Sequence, residues 1–254
     1  MPADPTDRFT ELVAHGDRMP LDEACLLVAA HARPGLDVEA EVVRLDDLAA
    51  GFRGDDLPGL AQHLCHDLGF AGDRSTYHDP RNSLLPDVLD RRLGIPISLA
   101  VLAIEVGKRQ GIPIEGIGMP GHFLVRDARV EDDYVDLFDG GRSLDRVGCR
   151  TVFEGLHPRA AWSDAFLAPV GPVAVLSRVL NNLANAYRRS GDRSDLAWTL
   201  ALRLALPGVT TRERRELAVL LGSIGRFAEG AAVLEATGEA ADGVSAQRLR
   251  ARLN

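Results

Sequence analysis

Apolar positions recur at helical spacing through the first part of the chain. Leu21 to Ala32 (LDEACLLVAAHA) is apolar on most faces, with Pro20 just ahead and Pro34-Gly35 just behind, so a helix is predicted there. Asp37 to Ala50 carries Val38, Val42, Val43, Leu45 and Leu48 in a second helical pattern. Leu57 to Leu68 sets Leu57, Leu60, Leu64 and Leu68 on one face of a third. These segments predict an all-helical opening layer.

The pattern then changes. Phe70 to Ser83 (FAGDRSTYHDPRNS) has the Gly, Asp, Asn, Ser and Pro content of a loop. Leu84 to Arg92 predicts a short helix ending near Gly94. Pro96 to Gln110 (PISLAVLAIEVGKRQ) is apolar almost all round, as a helix buried in the centre of a domain is. Pro96 suits its first turn, where a missing N–H goes unnoticed, and Gly111 suits its C-terminal cap. Ile112–Met119, His122–Arg126 and Tyr134–Phe138 predict strands, and the polar DARVEDD between the last two predicts a hairpin loop. Helices first, one central helix, then antiparallel strands make an α+β layout.

Beyond about Pro172 the helical pattern returns. VAVLSRVLNNLANAYRRSGD, LAWTLALRLALPG and ERRELAVLLGSIGRFAEGAAVLEA predict successive helices separated by Gly turns, with a break at Gly225. Helix, short turn, helix is the build of tetratricopeptide units, although the period is degenerate and only about two units fit. So short an array is expected to pack on the body before it. The predicted parts are a helical layer over residues 1–80, an α+β core over 81–170 and a helical tail over 171–254.

Composition narrows the function classes. The 46% apolar and 26% charged fractions of this 254-residue chain are those of an ordinary folded protein, and only 5% is aromatic. No apolar run reaches bilayer length, and the first residues lack a basic stretch followed by an apolar one, so a cytoplasmic protein is expected. Cys25, Cys65 and Cys149 are odd in number and widely spaced, which predicts free thiols. The net charge of −8 is uneven: residues 1–80 sum to −10 and residues 172–254 to +4. An acidic front and a mildly basic tail of interleaved charges do not predict nucleic-acid binding.

The most distinctive stretch is NSLLPDVLDRRLGIPISLAVLAIEVGKRQGIPIEGIGMPGHFLVRD, followed by YVDLFDGGRSLD. It resembles the transglutaminase-core superfamily, and within it the SirB-type branch that couples such a core to a tetratricopeptide-like tail. LDEACLLVAA and DLGFAGDRSTYHDPRNS match that branch too, so the resemblance covers essentially the whole chain. It implies a papain/transglutaminase-like core. In the catalytic members a cysteine begins the central helix, a histidine begins one strand, and an aspartate lies on the next. A helix N-terminus and a nearby imidazole favour thiolate, and the carboxylate orients the imidazole.

By that resemblance His122 stands at the histidine position and Asp136 at the aspartate position. If Phe123 pairs with Val135, His122 faces Asp136 within side-chain reach. The cysteine position falls on Pro96, which has no nucleophilic atom, so cysteine-dependent acyl transfer is not expected. Ser98 could supply a hydroxyl two residues further on, or could simply satisfy a backbone N–H at the helix start. Asn82 could polarise a carbonyl as an amide does in related cysteine enzymes, or could belong with Ser83 to a helix cap. Tyr77 and His78 are candidate rim residues of a ligand groove.

His63 and His66 flank Cys65 at i, i+3, but no further ligand lies near, and a polar helix face accounts for them. Gly116-x-Gly118 lacks the third glycine and the strand–helix context of a phosphate loop. No metal or cofactor is expected.

Three functions fit these residues. The first is a non-catalytic groove for a peptide or small acyl-like ligand, with a protein partner on the helical tail. The second is an amidase, peptidase or acyltransferase that uses His122 and Asp136 as a general base without cysteine. The third is a regulatory scaffold whose core is only a stable platform.

Overall fold

Aspartates start three of the four helices of the N-terminal layer. In a computed structural model, which describes residues 4–253, α1 (Pro5–Val13), α2 (Leu21–Ala32), α3 (Val38–Ala50) and α4 (Leu57–Gln62) follow one another. Asp4, Asp37 and Asp56 each accept a hydrogen bond from a backbone N–H in the first turn of α1, α3 and α4. The predicted helix through Leu68 narrows to α4, and the chain continues in a wider π turn over His63–Asp67. The helix α1 was not anticipated from the sequence; its buried residues are only Phe9, Leu12 and Val13.

β1 (Ala71–Gly72) pairs in parallel with β2 (Leu93–Gly94), and α5 (Leu85–Arg91) lies between them in sequence. The central helix α6 (Pro96–Arg109) is buried along almost all its length and packs against α2, α3, α5 and the sheet. Its one buried acid, Glu105, is held by Arg109, which also pairs with Asp22 at 2.6 Å and with Asp46 at 2.6 Å. That network is what lets a charged residue sit in an otherwise apolar helix. Gly111, at φ +73°, ends α6: its N–H reaches the Lys108 carbonyl and the next N–H reaches Gly107, a Schellman cap.

The main sheet has the order β6-β5-β4-β3-β7 and is antiparallel throughout, from β3 (Ile114–Ile117), β4 (Leu124–Asp127), β5 (Tyr134–Asp136), β6 (Arg142–Leu144) and β7 (Pro169–Val170). One face presents Ile117, Leu124, Tyr134 and Leu144 to Cys149 and Phe153 of α7 (Arg146–Leu156). On the other face Gly116 lies opposite Val125, and the side chain of Ile104 in α6 closes over it. Burial of these two faces contributes to the core's stability.

The helix α8 (Pro172–Ser190) runs through the boundary between two compact units, which falls between Val179 and Leu180. In the second unit α9 (Arg193–Ala205), α10 (Thr211–Ser223), α11 (Phe227–Glu235) and α12 (Ala240–Arg250) pack each on the next. Thr210 and Glu213 form a reciprocal capping box at the start of α10. Small residues, Ala218, Ala231 and Ala246 with Leu234, fill the centre of the last three helices. Among the described residues no helix is long and apolar enough to cross a membrane.

Candidate functional site

The turn that delivers His122 comes from Pro120-Gly121. The His122 N–H donates to the Met119 carbonyl at 3.1 Å, and Gly121 has φ +76°, the backbone of a type II turn. A side chain at Gly121 is excluded twice over, by that φ and by His157 Nε2, which stands 2.5 Å from where a Cβ would sit. Three carbonyls of the turn are engaged by side chains. Arg178 donates to the Met119 oxygen at 2.9 Å and the His122 oxygen at 2.7 Å, and His157 Nε2 donates to the Pro120 oxygen at 3.2 Å.

Asp136 closes β5 and caps the short 3₁₀ turn after it. Its Oδ1 accepts from the N–H groups of Phe138 and Asp139, and its Oδ2 lies 2.7 Å from His122 Nε2. With a carboxylate as acceptor, Nε2 carries the proton, and in the neutral imidazole Nδ1 presents a lone pair. No protein group among the described residues bonds that Nδ1. The ladder pairs Val125, not Phe123, with Val135, a shift of two residues from the expected register. A shift of two keeps every side chain on its face, so the diagonal reach still brings His122 to Asp136.

Both residues line an open cleft of about 320 Å³. Pro96, the first residue of α6, stands in its wall, together with Tyr77 and Phe138. The Tyr77 and Phe138 rings meet edge to face at 5.9 Å, and Phe138 meets the His122 ring in the same way at 6.2 Å. Val152 and Leu156 of α7 complete the apolar part, while Arg74 and Asp139, paired at 2.7 Å, form a charged rim. The Arg74 guanidinium also lies over the Phe138 ring, 4.9 Å from its centre.

Three of the residues singled out from the sequence are placed elsewhere. Ser98 is buried, accepts from the Ile95 N–H at 3.0 Å and donates to the Asn82 carbonyl at 2.6 Å. Its hydroxyl satisfies the Ile95 N–H at the start of α6 and does not line the cleft, which is the second of the two arrangements its position allowed. Asn82 is fully buried; its amide N–H₂ donates to the Thr76 carbonyl at 2.8 Å and to Asp73 at 3.2 Å, and its oxygen accepts from Arg91 at 2.9 Å. With both ends of the amide used internally, nothing remains to polarise a ligand carbonyl. Around Asp73 the same cluster gathers Ser75, Thr76 and Arg91, and its N–H donates to the Gly94 carbonyl. The loop that carries Tyr77 is thereby tied to the start of α6. His78 is exposed, packs edge-on to Tyr77 at 5.2 Å and is not part of the cleft lining.

No thiol is primed for attack. Burial, reinforced by the Asp136 charge, pushes the Cys65 thiol up to about 11; burial and the charges of Asp145, Asp136 and Asp132 push Cys149 up to about 12. Burial also raises Cys25 well above the usual thiol range. All three are unpaired and protonated at neutral pH. Among the described residues no group of three or more His, Cys, Asp or Glu side chains could hold a metal, and His63 turns its Nδ1 to Asp67 at 3.4 Å.

Sequence reasoning missed Arg74, Phe138, Val152 and Leu156 in the cleft, and Arg178 and His157 behind it. Phe138 follows Asp136 by two residues and was within reach of the motif reading. The α7 residues were hidden because Arg146–Leu156 was not recognised as a helix.

With this geometry in view, comparison with known proteins is informative. Residues 30–181 match the model of a family described as the transglutaminase-like superfamily. A UPF0162 protein of Xylella fastidiosa is 36% identical over 203 residues, 74% of this chain and 72% of that one. A UPF0162 protein of Pseudomonas aeruginosa is 33% identical over 182 residues, 68% of this chain and 66% of that one. The human F-box only protein 21 is 31% identical over 137 residues, 50% of this chain but 21% of that protein. No solved structure matches significantly. The chain belongs to the transglutaminase-like superfamily, in the company of the UPF0162 proteins.

Proposed function

We propose that this protein is a non-catalytic member of its superfamily, whose cleft binds a peptide or small acyl-like ligand at His122 and Asp136. One observation carries the reading: Pro96 stands in the cleft wall beside the His–Asp pair, at the position the resemblance gives to the nucleophile. Ser98 is engaged as a cap and the three thiols are held protonated, so no neighbouring side chain takes over that role. Tyr77, Phe138, Val152 and Leu156 offer apolar surface, and the His122 imidazole offers a hydrogen-bond acceptor at Nδ1. The proposal extends to a SirB-type protein with a tetratricopeptide-like tail that engages a protein partner in the cytoplasm. The serially packed helices α9 to α12 support the tail, and the unpaired thiols suit a reducing compartment.

A titration of the ¹⁵N-labelled full chain with a pool of short acetylated peptides tests this. Expected are shifts confined to Tyr77, His122, Phe138 and Leu156, with every peptide recovered intact and no covalent adduct by mass spectrometry. Shifts elsewhere, or none in the cleft, overturn it.

A second reading has its own observation. An imidazole oriented by a carboxylate at 2.7 Å, with its other nitrogen unbonded in an open cleft, is built like a general base for water or an amine. It requires peptide or ester turnover that His122→Ala abolishes while the fold survives; turnover that persists without His122 ends it.

A further inference from the structure

The two side chains that bond the carbonyls of the turn before β4 lie outside the β4–β5 hairpin, one on α8 and one just past the end of α7. Arg178, on α8, directs one nitrogen at two carbonyls, those of Met119 and His122, and its guanidinium lies over the Phe123 ring, 5.4 Å from the ring centre. Among the described residues it has no carboxylate partner, and burial lowers its pKa. A charged donor is rarely buried without an acid unless backbone oxygens take its hydrogens. His157, just past the end of α7, takes the intervening carbonyl of Pro120, and its ring packs on Phe153 with centres 5.1 Å apart. Together the two side chains hold Met119, Pro120 and His122 by their oxygens, across a turn whose Gly121 leaves the backbone otherwise free to rotate.

We infer that Arg178 and His157 are positioning residues for His122. By clamping the carbonyls on either side of Gly121 they set the direction of the His122 Cα–Cβ bond, and so keep Nε2 on Asp136 and Nδ1 turned to the cleft. The inference rests on the His122–Asp136 pair being the working part of the cleft. It needs neither ligand nor turnover to be tested.

The test is long-range ¹H–¹⁵N NMR of the imidazole nitrogens in the full chain labelled at histidine, with His122→Gln to assign the signals. In the parent protein His122 is expected as a single Nε2–H tautomer with a slowly exchanging proton. Absence of that signature would refute the pair itself, and with it the reading on which the inference stands. With the signature present, Arg178→Met and His157→Phe separate positioning from packing, since each keeps most of the side-chain volume and loses the donor. Expected for Arg178→Met is faster exchange of the Nε2 proton by at least about ten-fold and a mixture of tautomers. His157→Phe is expected to move it in the same direction by a smaller factor, with the melting temperature little changed. Arg178→Lys, which can still donate to one carbonyl, is expected to restore part of the parent signal and serves if the methionine variant does not fold. An unchanged His122 spectrum in folded Arg178→Met or Arg178→Lys, together with an unchanged one in His157→Phe, overturns the inference.

Discussion

His122 Nε2 lies 2.7 Å from Asp136 Oδ2, although the β4–β5 ladder sets the two residues on a diagonal. The pairing therefore depends on the turn before β4 as much as on the sheet. The carboxylate has a second task, since its other oxygen caps the turn that follows β5.

Replacing that carboxylate exposes both tasks at once. Asp136→Ala leaves the His122 Nε2–H and two backbone N–H groups without an acceptor in a buried place. The expected loss is about 3 kcal/mol or more in urea unfolding. A loss under about 1 kcal/mol would mean that the pair is not formed in solution.

Introducing a thiol tests the framework around Pro96. In Pro96→Cys the new sulfur sits at a helix N-terminus in the cleft that His122 lines, so its pKa is expected below the free value of about 8.5. Alkylation by iodoacetamide at pH 7 is then expected to slow by about ten-fold when His122→Ala is added. Equal rates in the two variants would separate Pro96 from the His–Asp pair.

Ser98 makes the opposite prediction. Ser98→Ala removes the cap on Ile95 and the tie to the Asn82 carbonyl, at an expected cost of about 1–2 kcal/mol in thermal or urea unfolding. Peptide-induced shifts at His122 are expected to be unchanged. Loss of those shifts with the fold intact would return Ser98 to the site.

The cluster under the Tyr77 loop gives the fold an acid-sensitive part. Burial works against the Asp73 charge, but hydrogen bonds from Thr76, Asn82 and Ser75 outweigh it and hold the carboxyl well below the usual range. A group depressed in the folded state stabilises above its unfolded pKa, here about 4, and that contribution fades as pH falls below it. Unfolding free energy of the parent chain is expected to decline below about pH 4 more steeply than that of Asp73→Asn. Parallel pH profiles would remove Asp73 as the source.

Much of this architecture is legible along the chain because local chemistry and burial agree there. Pro20 and Pro34-Gly35 bracket α2, and Pro96 with Gly111 brackets α6, so their limits were read almost to the residue. The helix α7 was missed because Cys149 and Phe153 are its only fully buried residues, and glycines at 148 and 155 dilute the pattern. The strand register came out two residues away because side-chain alternation is the same for both alignments. His122, Asp136, Tyr77 and Pro96 do meet at one cleft. Asn82 and Ser98 belong to the same motif yet serve the chain itself, and residue type alone does not separate a ligand-facing amide from one that ties a loop. Arg178 and His157 act on carbonyl oxygens, which every residue has, so no side-chain pattern marks their targets.

Pro96 has a consequence for what the molecule can become. A ring that fixes φ narrows the unfolded chain and costs the first turn of α6 nothing, a gain of about 0.4–1 kcal/mol over a freely rotating residue. A side chain without a nucleophilic atom is thus also the one that suits this helix start best. A change to cysteine at this position is expected to begin with a loss of stability. Any thiol placed in this part of the cleft wall has that loss to make good before it can serve the molecule.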